Sequence, residues 1–222
     1  MSPDRKSFRR IGPDLRRDAM IAGMLAVIAE EGIAAATTRA VAARAGVTPG
    51  LIRHYFDSKD ALLSAAFERH MGDLTEATRR MGQGDSAAAR LAAFIDAGLR
   101  APVVSAEAVS LWAGFLTHVQ RSAEMQSVHA RTYAEFRDHL QGLVADALRE
   151  AGRPAPDAAL RRHAIACNAV IDGLWLEGGM LSDAFAGGEL AEIGLETIGE
   201  MLNLPLRTAA PRYDEMTKEE TT

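Results

Sequence analysis

Two sets of side chains in this sequence have the types and spacing to do chemistry. The first lies in TTRAVAARAGVTPGLIRHYFDSKDALL, Thr37 to Leu63. Its second short helix turns Thr48, Pro49, Gly50, Arg53 and His54 outward, while Val41, Val47, Leu51 and Ile52 supply a miniature core. A donor-rich surface on the N-terminal part of a short helix suits a DNA major groove, whose phosphates and base edges accept hydrogen bonds. The second set is aromatic and acidic: Trp112 and Phe115, Tyr133 and Phe136, and Trp175 fall on three helical segments. Asp172 and Glu177 sit beside Trp175 in IDGLWLEGGML, Ile171 to Leu181. Helix bundles enclose ligand sites of this composition, aromatic with a few polar groups, although two tryptophans would also serve as plain core filling.

Other chemistries have no residues to carry them. There is no G-x-S-x-G, no H-E-x-x-H and no Gly-rich phosphate loop. His118, His129, His139 and His163 lack the spacing of metal ligands, so no metal and no cofactor is expected. Cys167 stands among Ala and Ile and reads as a small buried apolar residue, not a redox sensor. An enzyme built on the helical pocket would have no nucleophile–base pair and no metal, so the chain reads as a non-enzyme.

The elements that must position these residues are all helical. Leu15, Ala19, Ala22, Leu25, Ala26 and Ile28 repeat at helical spacing from Asp14 to Glu31, and Gly32 stops them. Thr37 or Thr38 caps a helix reaching Ala45, Gly46 makes the turn, and Thr48 caps a helix with Pro49 in its first position. Ser58 caps a fourth helix to about Met81. Further helices are predicted over Ser86–Arg100, Ser105–Val119, Met125–Glu150, Asp157–Leu181 and Gly188–Asn203. The expected organisation is an arm and helix-turn-helix domain over 1–62, a larger helical domain over 63–204 and a disordered tail over 205–222.

Charge is divided along the chain. Residues 1–60 hold ten Lys/Arg and seven Asp/Glu, a net +3, while the whole chain is −5, which leaves −8 for the rest. A basic head on an acidic body suits a protein of which only the head meets phosphate. The leader RKSFRRIGPDLRR, Arg5 to Arg17, carries six cations. It reads equally well as a minor-groove arm or as a solvated leader. No run of 18 apolar residues, no signal-peptide core and a single cysteine point to a cytoplasmic protein without a membrane partner.

The run from Thr37 through AGV, the Gly-bearing helix, YF and Lys59 resembles the TetR family of one-component regulators, closely over Ile21 to Phe67. That resemblance implies an all-α, TetR-like fold: a three-helix DNA-binding domain followed by a larger ligand-binding and dimerisation domain. It implies that Thr38, at a helix N-terminus, bonds a phosphate. Thr48, Gly50 and Tyr55 would touch the DNA backbone, and Lys59 would add an ionic phosphate contact. Arg53, whose fork matches guanine O6 and N7, would read a base, with His54 as a second reader. The family often has Tyr where Arg53 stands, so the operator cannot be copied from relatives.

IDGLWLEGG, LWAGF at Leu111 to Phe115 and the IGPDLRR leader are similar to the choline-responsive repressors of glycine-betaine synthesis within that family. A quaternary ammonium has no N–H to donate and is held by aromatic faces with a carboxylate nearby. The resemblance thus assigns Trp112, Phe115, Tyr133 and Trp175, with Asp172 or Glu177, to a small-cation effector such as choline. It also implies a homodimer through the last two helices, with Leu190, Ile193, Ile198, Met201 and Leu202 as its apolar face and Gly178, Gly179, Gly194 and Gly199 allowing close approach. The expected function is a repressor released from a palindromic operator by its effector. The alternatives are a regulator of an efflux or catabolic operon answering to an apolar ligand, a pocket enzyme, and a non-sensing DNA-packaging protein.

Overall fold

The computed structural model describes residues 12–81 and 84–210, and its regular elements are all helical. They are α1 Pro13–Glu31, α2 Thr38–Arg44, α3 Pro49–Tyr55, α4 Lys59–Met81, α5 Ala87–Gly98, α6 Ala106–Val119, α7 Ala123–Glu150, α8 Asp157–Met180, α9 Glu189–Leu202 and α10 Leu206–Ala209. Single turns of tighter helix stand at Ile33–Ala35 and Ser182–Ala184. Six helix starts are held the same way, by a hydroxyl accepting from the backbone N–H three residues on. The caps are Thr37, Thr48, Ser58, Ser86, Ser105 and Ser122, at 3.0–3.3 Å. Such a cap contributes about 1 kcal/mol. Ser122 begins α7 two residues before the Met125 start expected from apolar spacing.

The chain divides into two compact units between Arg69 and His70. The boundary expected at 62/63 falls too early because Leu63, Ala66 and Phe67 on α4 are fully buried and belong to the first unit. That unit's core joins Met20, Met24 and Val27 of α1 to Val41 of α2 and Ile52 of α3. Gly23 lets α1 and α2 close up: a Cβ there would lie 3.1 Å from Ala45 Cβ and 3.3 Å from the Val41 carbonyl. Gly46 makes the turn before α3 with φ +65°, a conformation that suits only glycine well. Arg44 and Glu30 form a two-pronged ion pair on the surface, where screening leaves it little weight.

In the second unit α5 lies at the centre of the core. It buries Leu91, Phe94 and Ile95 among Leu140 and Val144 of α7, Ile171 of α8, and Leu195 and Ile198 of α9. Cys167 is also in this core, and burial pushes its thiol up to about 12, so it stays a protonated, inert filler.

Three expectations for this unit need correction. Leu190, Ile198 and Leu202 face their own core, which leaves Ile193 and Met201 as the exposed members of the expected apolar face. The glycines serve packing inside the chain: added Cβ atoms would strike Leu190 and Val104 at Gly178, Val109 at Gly179, Leu99 at Gly194 and the Leu204 carbonyl at Gly199. The chain beyond residue 204 continues in order as α10, because Leu204 and Leu206 are buried in the same core. Arg153 secures this end of α9 by donating to the carbonyls of Leu202 and Asn203 at 2.9 and 3.1 Å. Residues 211–222 lie outside the described residues, as does the leader from Arg5 to Ile11. Arg17 belongs to α1, where its guanidinium stands 5.3 Å above the Phe56 ring.

Candidate functional site

In the first unit α3 buries Ile52 and turns Thr48, Pro49, Gly50, Arg53 and His54 to solvent. Thr48 Oγ1 accepts from the Leu51 N–H at 3.3 Å, so its own O–H remains free to donate outward. Tyr55 is half-buried, with His54 edge-on at 5.6 Å. Thr37 takes the cap of α2, which places Thr38 in the first turn, half-buried. Lys59 is exposed at the first residue of α4. Gly50 has an ordinary helical φ, and a Cβ there would meet nothing nearer than Thr48 Oγ1 at 4.0 Å. The fold therefore gives no reason for glycine at this position, whereas a partner approaching the helix closely would.

In the second unit, α4, α5, α6, α7 and α8 enclose a cavity of about 260 Å³. Trp112 of α6 and Trp175 of α8 meet edge to face, with ring centres 5.8 Å apart and planes at 85°. Trp175 Nε1 donates to the Val103 carbonyl at 2.8 Å, which fixes the ring and leaves its face to the cavity wall. Tyr133 and Phe136 of α7 and Met71, Leu74, Thr75 and Thr78 of α4 complete much of the lining. This volume is below the range for drug-sized ligands, roughly 300–1,000 Å³, and suits a molecule of few heavy atoms.

The charged end of the cavity is Asp172. Its Oδ2 accepts from Tyr133 Oη at 3.0 Å and from Asn168 Nδ2 at 2.7 Å. Burial raises the carboxyl above its ordinary range, and these two donors, with the nearby His129, offset only part of that. Tyr133 is raised too, by burial first and then by Asp172, so it stays a phenol that donates. The His129 ring lies tilted against Tyr133 with ring centres 4.7 Å apart, and burial lowers its pKa below the ordinary imidazole range. A desolvated carboxylate among aromatic faces attracts a cation, since binding returns the counter-charge that burial removed.

The structure thus brings four of the expected pocket residues together: Trp112, Tyr133, Asp172 and Trp175. Two are placed elsewhere. Phe115 is wholly buried against the His70 ring at 6.3 Å and does not line the cavity. Glu177 is exposed, because two residues beyond Trp175 is more than half a turn around α8. Phe136, named with Tyr133 in the aromatic set, also lines the cavity, whereas Asn168 and the α4 residues were not expected. Asn168 was legible in one respect: it precedes Asp172 by four residues, one turn along the same face. Among the described residues no group of three His, Cys, Asp or Glu side chains could hold a metal ion, and no helix is long and apolar enough to cross a membrane.

Comparison with known proteins agrees with this geometry. Residues 21–66 match the model for bacterial regulatory proteins of the tetR family, and residues 87–203 match the C-terminal domain of BetI-type transcriptional repressors. The HTH-type transcriptional regulator BetI of Burkholderia thailandensis is 32% identical over 203 residues, 90% of this chain and 96% of its own. A transcriptional regulator of Pseudomonas aeruginosa PAO1 has a similar structure, with a TM-score of 0.78 and 29% identity over 91% of this chain and 98% of its own. A Saccharomonospora viridis regulator solved in complex with choline shares the fold at a TM-score of 0.64 and 16% identity, over 84% of this chain and 95% of its own.

Proposed function

This chain belongs to the TetR family of transcriptional regulators and carries a BetI-type C-terminal domain, and from that premise we propose that it is a repressor released from its operator when a small cation such as choline fills the cavity of the second unit. The observation that carries this reading is the half-buried Asp172 carboxylate in the wall of the same cavity as two edge-to-face tryptophans. Cation–π contacts contribute about 0.5–2 kcal/mol each, towards the upper end when desolvated, so two of them with a carboxylate support micromolar to millimolar sensing. An uncharged apolar effector, the alternative for an efflux or catabolic regulator, leaves Asp172 with its two donors and no counter-charge. Calorimetry with choline and with its carbon isostere 3,3-dimethyl-1-butanol separates the two. The cation is expected to bind and the alcohol to bind far more weakly, while equal affinities or no heat from choline would overturn the assignment.

On the DNA side, α3 enters the major groove, Arg53 reads a base with His54 beside it, and Thr38, Thr48, Gly50, Tyr55 and Lys59 meet the backbone. α4 carries Lys59 at its start and Met71, Leu74, Thr75 and Thr78 in the cavity wall. A ligand favouring one setting of this helix shifts operator affinity by its differential binding and by no more than that. The protein acts in the cytoplasm as a homodimer whose two α3 helices meet the half-sites of a palindrome. The dimer reading is supported by the distribution of exposed apolar side chains. Of the six large ones among the described residues, Ile165, Met180, Leu181, Ile193 and Met201 lie on or at the ends of α8 and α9. Ile193→Arg is expected to give folded monomers that still bind choline but have lost tight operator binding, as read by sedimentation. A wild type that is monomeric at micromolar concentration would refute this.

A further inference from the structure

A second cleft adjoins the cavity within the same unit. It lies between α4 and α7, has a volume of about 410 Å³ and shares Met71, Thr75 and Thr132 with the inner cavity. Those three side chains therefore stand between the two spaces. Both threonine hydroxyls donate within their own helix, Thr75 to the Met71 carbonyl at 3.0 Å and Thr132 to the Val128 and His129 carbonyls at 3.1 and 3.2 Å. Methyl groups and a flexible thioether are left to fill the partition, and these part more easily than a hydrogen-bonded wall. Gly72 lies beside it, exposed and in the middle of α4. Glycine is disfavoured in a helix interior, and a Cβ here would meet nothing within 4 Å. Packing gives no reason for glycine at this point, whereas an unobstructed path does.

We propose that this cleft is the entry site of the effector cavity: a small ligand collects at its rim, passes Gly72 and moves inward when Met71 swings off the two threonines. The rim is acidic. Glu76, Glu135 and Asp138 outnumber Arg79 together with Arg80, which pairs with Glu76 at 3.0 Å. His139 adds no positive charge at neutral pH, since burial and Arg79 lower its pKa. Such a rim raises the local concentration of cations and lowers that of anions. The entry role rests on reading the inner cavity as the effector site, and small quenchers stand in for the effector, so that the two readings fail separately. The inner cavity has one exposed residue in its lining, Gly173 of α8. Ala169 and Met180, four and seven residues away, are exposed on the same face of that helix, where a second copy would cover them. Among the described residues the cleft is lined from α4 and α7 alone, clear of that face.

Trp112 and Trp175 are the two tryptophans of the chain and both line the inner cavity, so their fluorescence reports what reaches it. The test is quenching by acrylamide, caesium and iodide on the full ligand-free chain and its variants. Gly72→Leu puts a branched side chain into the open cleft and is expected to lose most of the acrylamide quenching, with Gly173→Leu losing less. Met71→Ala widens the partition and should raise acrylamide quenching. The double variant Glu135→Gln, Asp138→Asn should keep acrylamide quenching and lower the ratio of caesium to iodide quenching by up to about tenfold. Wild-type acrylamide quenching in Gly72→Leu overturns the entry assignment, and so does stronger protection by Gly173→Leu, which would put the passage on the α8 side. An unchanged ratio of caesium to iodide in the double variant overturns the collecting role of the rim. Should Gly72→Leu fail to fold, Met71→Ala decides the matter alone: quenching that stays level or falls overturns the passage through the partition.

Discussion

Thr48 and Asp172 are both hydrogen-bonded within their own units, yet they differ in what they leave over. Thr48 accepts from the backbone of α3 and keeps its O–H facing solvent. Asp172 is surrounded by its own donors in a cavity and is left with a charge that its surroundings disfavour. The same division runs through both units. The first has an apolar core and carries the side chains proposed to meet DNA on the outside, where they cost the fold almost nothing. The second leaves a gap in its core and lines it with groups that packing alone would exclude. Substitutions on α3 should thus alter DNA binding without touching stability, whereas substitutions in the cavity should alter ligand binding and stability together.

The largest expected effect is at Trp175. Trp175→Ala removes one aromatic wall, the edge-to-face partner of Trp112 and the hydrogen bond to Val103. Choline binding should fall by more than about 30-fold, equivalent to a desolvated cation–π contact of ~2 kcal/mol. Stability should fall by about 2–4 kcal/mol, since the ring is half-buried and the hole cannot fully collapse. Trp175→Phe keeps a π face and should lose less of both. Urea unfolding alongside calorimetry checks the pair, and a loss of binding at unchanged stability would break the proposed contrast.

Next comes Arg53. Arg53→Ala should relax preference at one base position per half-site by about 1–3 kcal/mol. Lys59→Ala should weaken all sequences alike and reduce the salt slope by about one. Neither should move the unfolding midpoint by more than about 0.5 kcal/mol, because both side chains are exposed. Competition binding over an operator library distinguishes base reading from phosphate contact. Equal loss of preference in both variants would reverse the assignments.

A smaller effect comes from Asp172 through pH. Burial raises its folded pKa above the ordinary carboxyl range, so a cation, which is drawn to the ionised form, competes there with a proton. Choline affinity should fall as pH drops through that raised value, by at most about tenfold per pH unit. The stability sign is the opposite: the empty protein loses stability as pH rises through the same range, because ionising a buried carboxyl favours the unfolded chain. His129 faces the same corner, and burial lowers its pKa below the ordinary imidazole range, so its protonation would repel the cation only below that range. Asp172→Asn should bind choline weakly and with a flat pH profile. A profile that persists in this variant would transfer the titration to His129.

What could be read from the sequence follows the same boundary between the units. The first is built from local signals: Thr48 before Pro49, Gly46 at the turn and Ser58 before α4 act within three or four residues of themselves. The tryptophans were legible as a pair of pocket candidates, but which neighbours join them is decided by tertiary packing. Phe115 is only three residues from Trp112, and it fills core against His70. Asn168 reads in sequence as a stray polar residue in an apolar helix. Only the enclosure by α4 and α7, distant in sequence, makes it part of a site. The apolar stripe of α9 misled for a related reason: periodicity marks a buried face without saying whether the same chain or a second copy buries it.

The smallest effect tests the contrast most directly, because operator affinity should fall while stability is kept or slightly raised. Gly50 is the second residue of α3 and is exposed, and its backbone is helical. Glycine in a helix is less favourable than alanine by up to about 1 kcal/mol, since the unfolded chain has more freedom to lose. A methyl at this position has open space around it, the nearest atom being Thr48 Oγ1 at 4.0 Å. Gly50→Ala should therefore leave the unfolding midpoint unchanged or raise it by a few tenths of a kcal/mol. On the proposed DNA contact the same methyl stands in the path of the phosphate backbone, so operator affinity should drop although no hydrogen-bonding group has been removed. Choline binding, confined to the second unit, should stay as in wild type. An operator affinity that rises with stability would show that Gly50 is a defect of the helix and not a point of contact. α3 would then approach the groove through Arg53 and His54 alone.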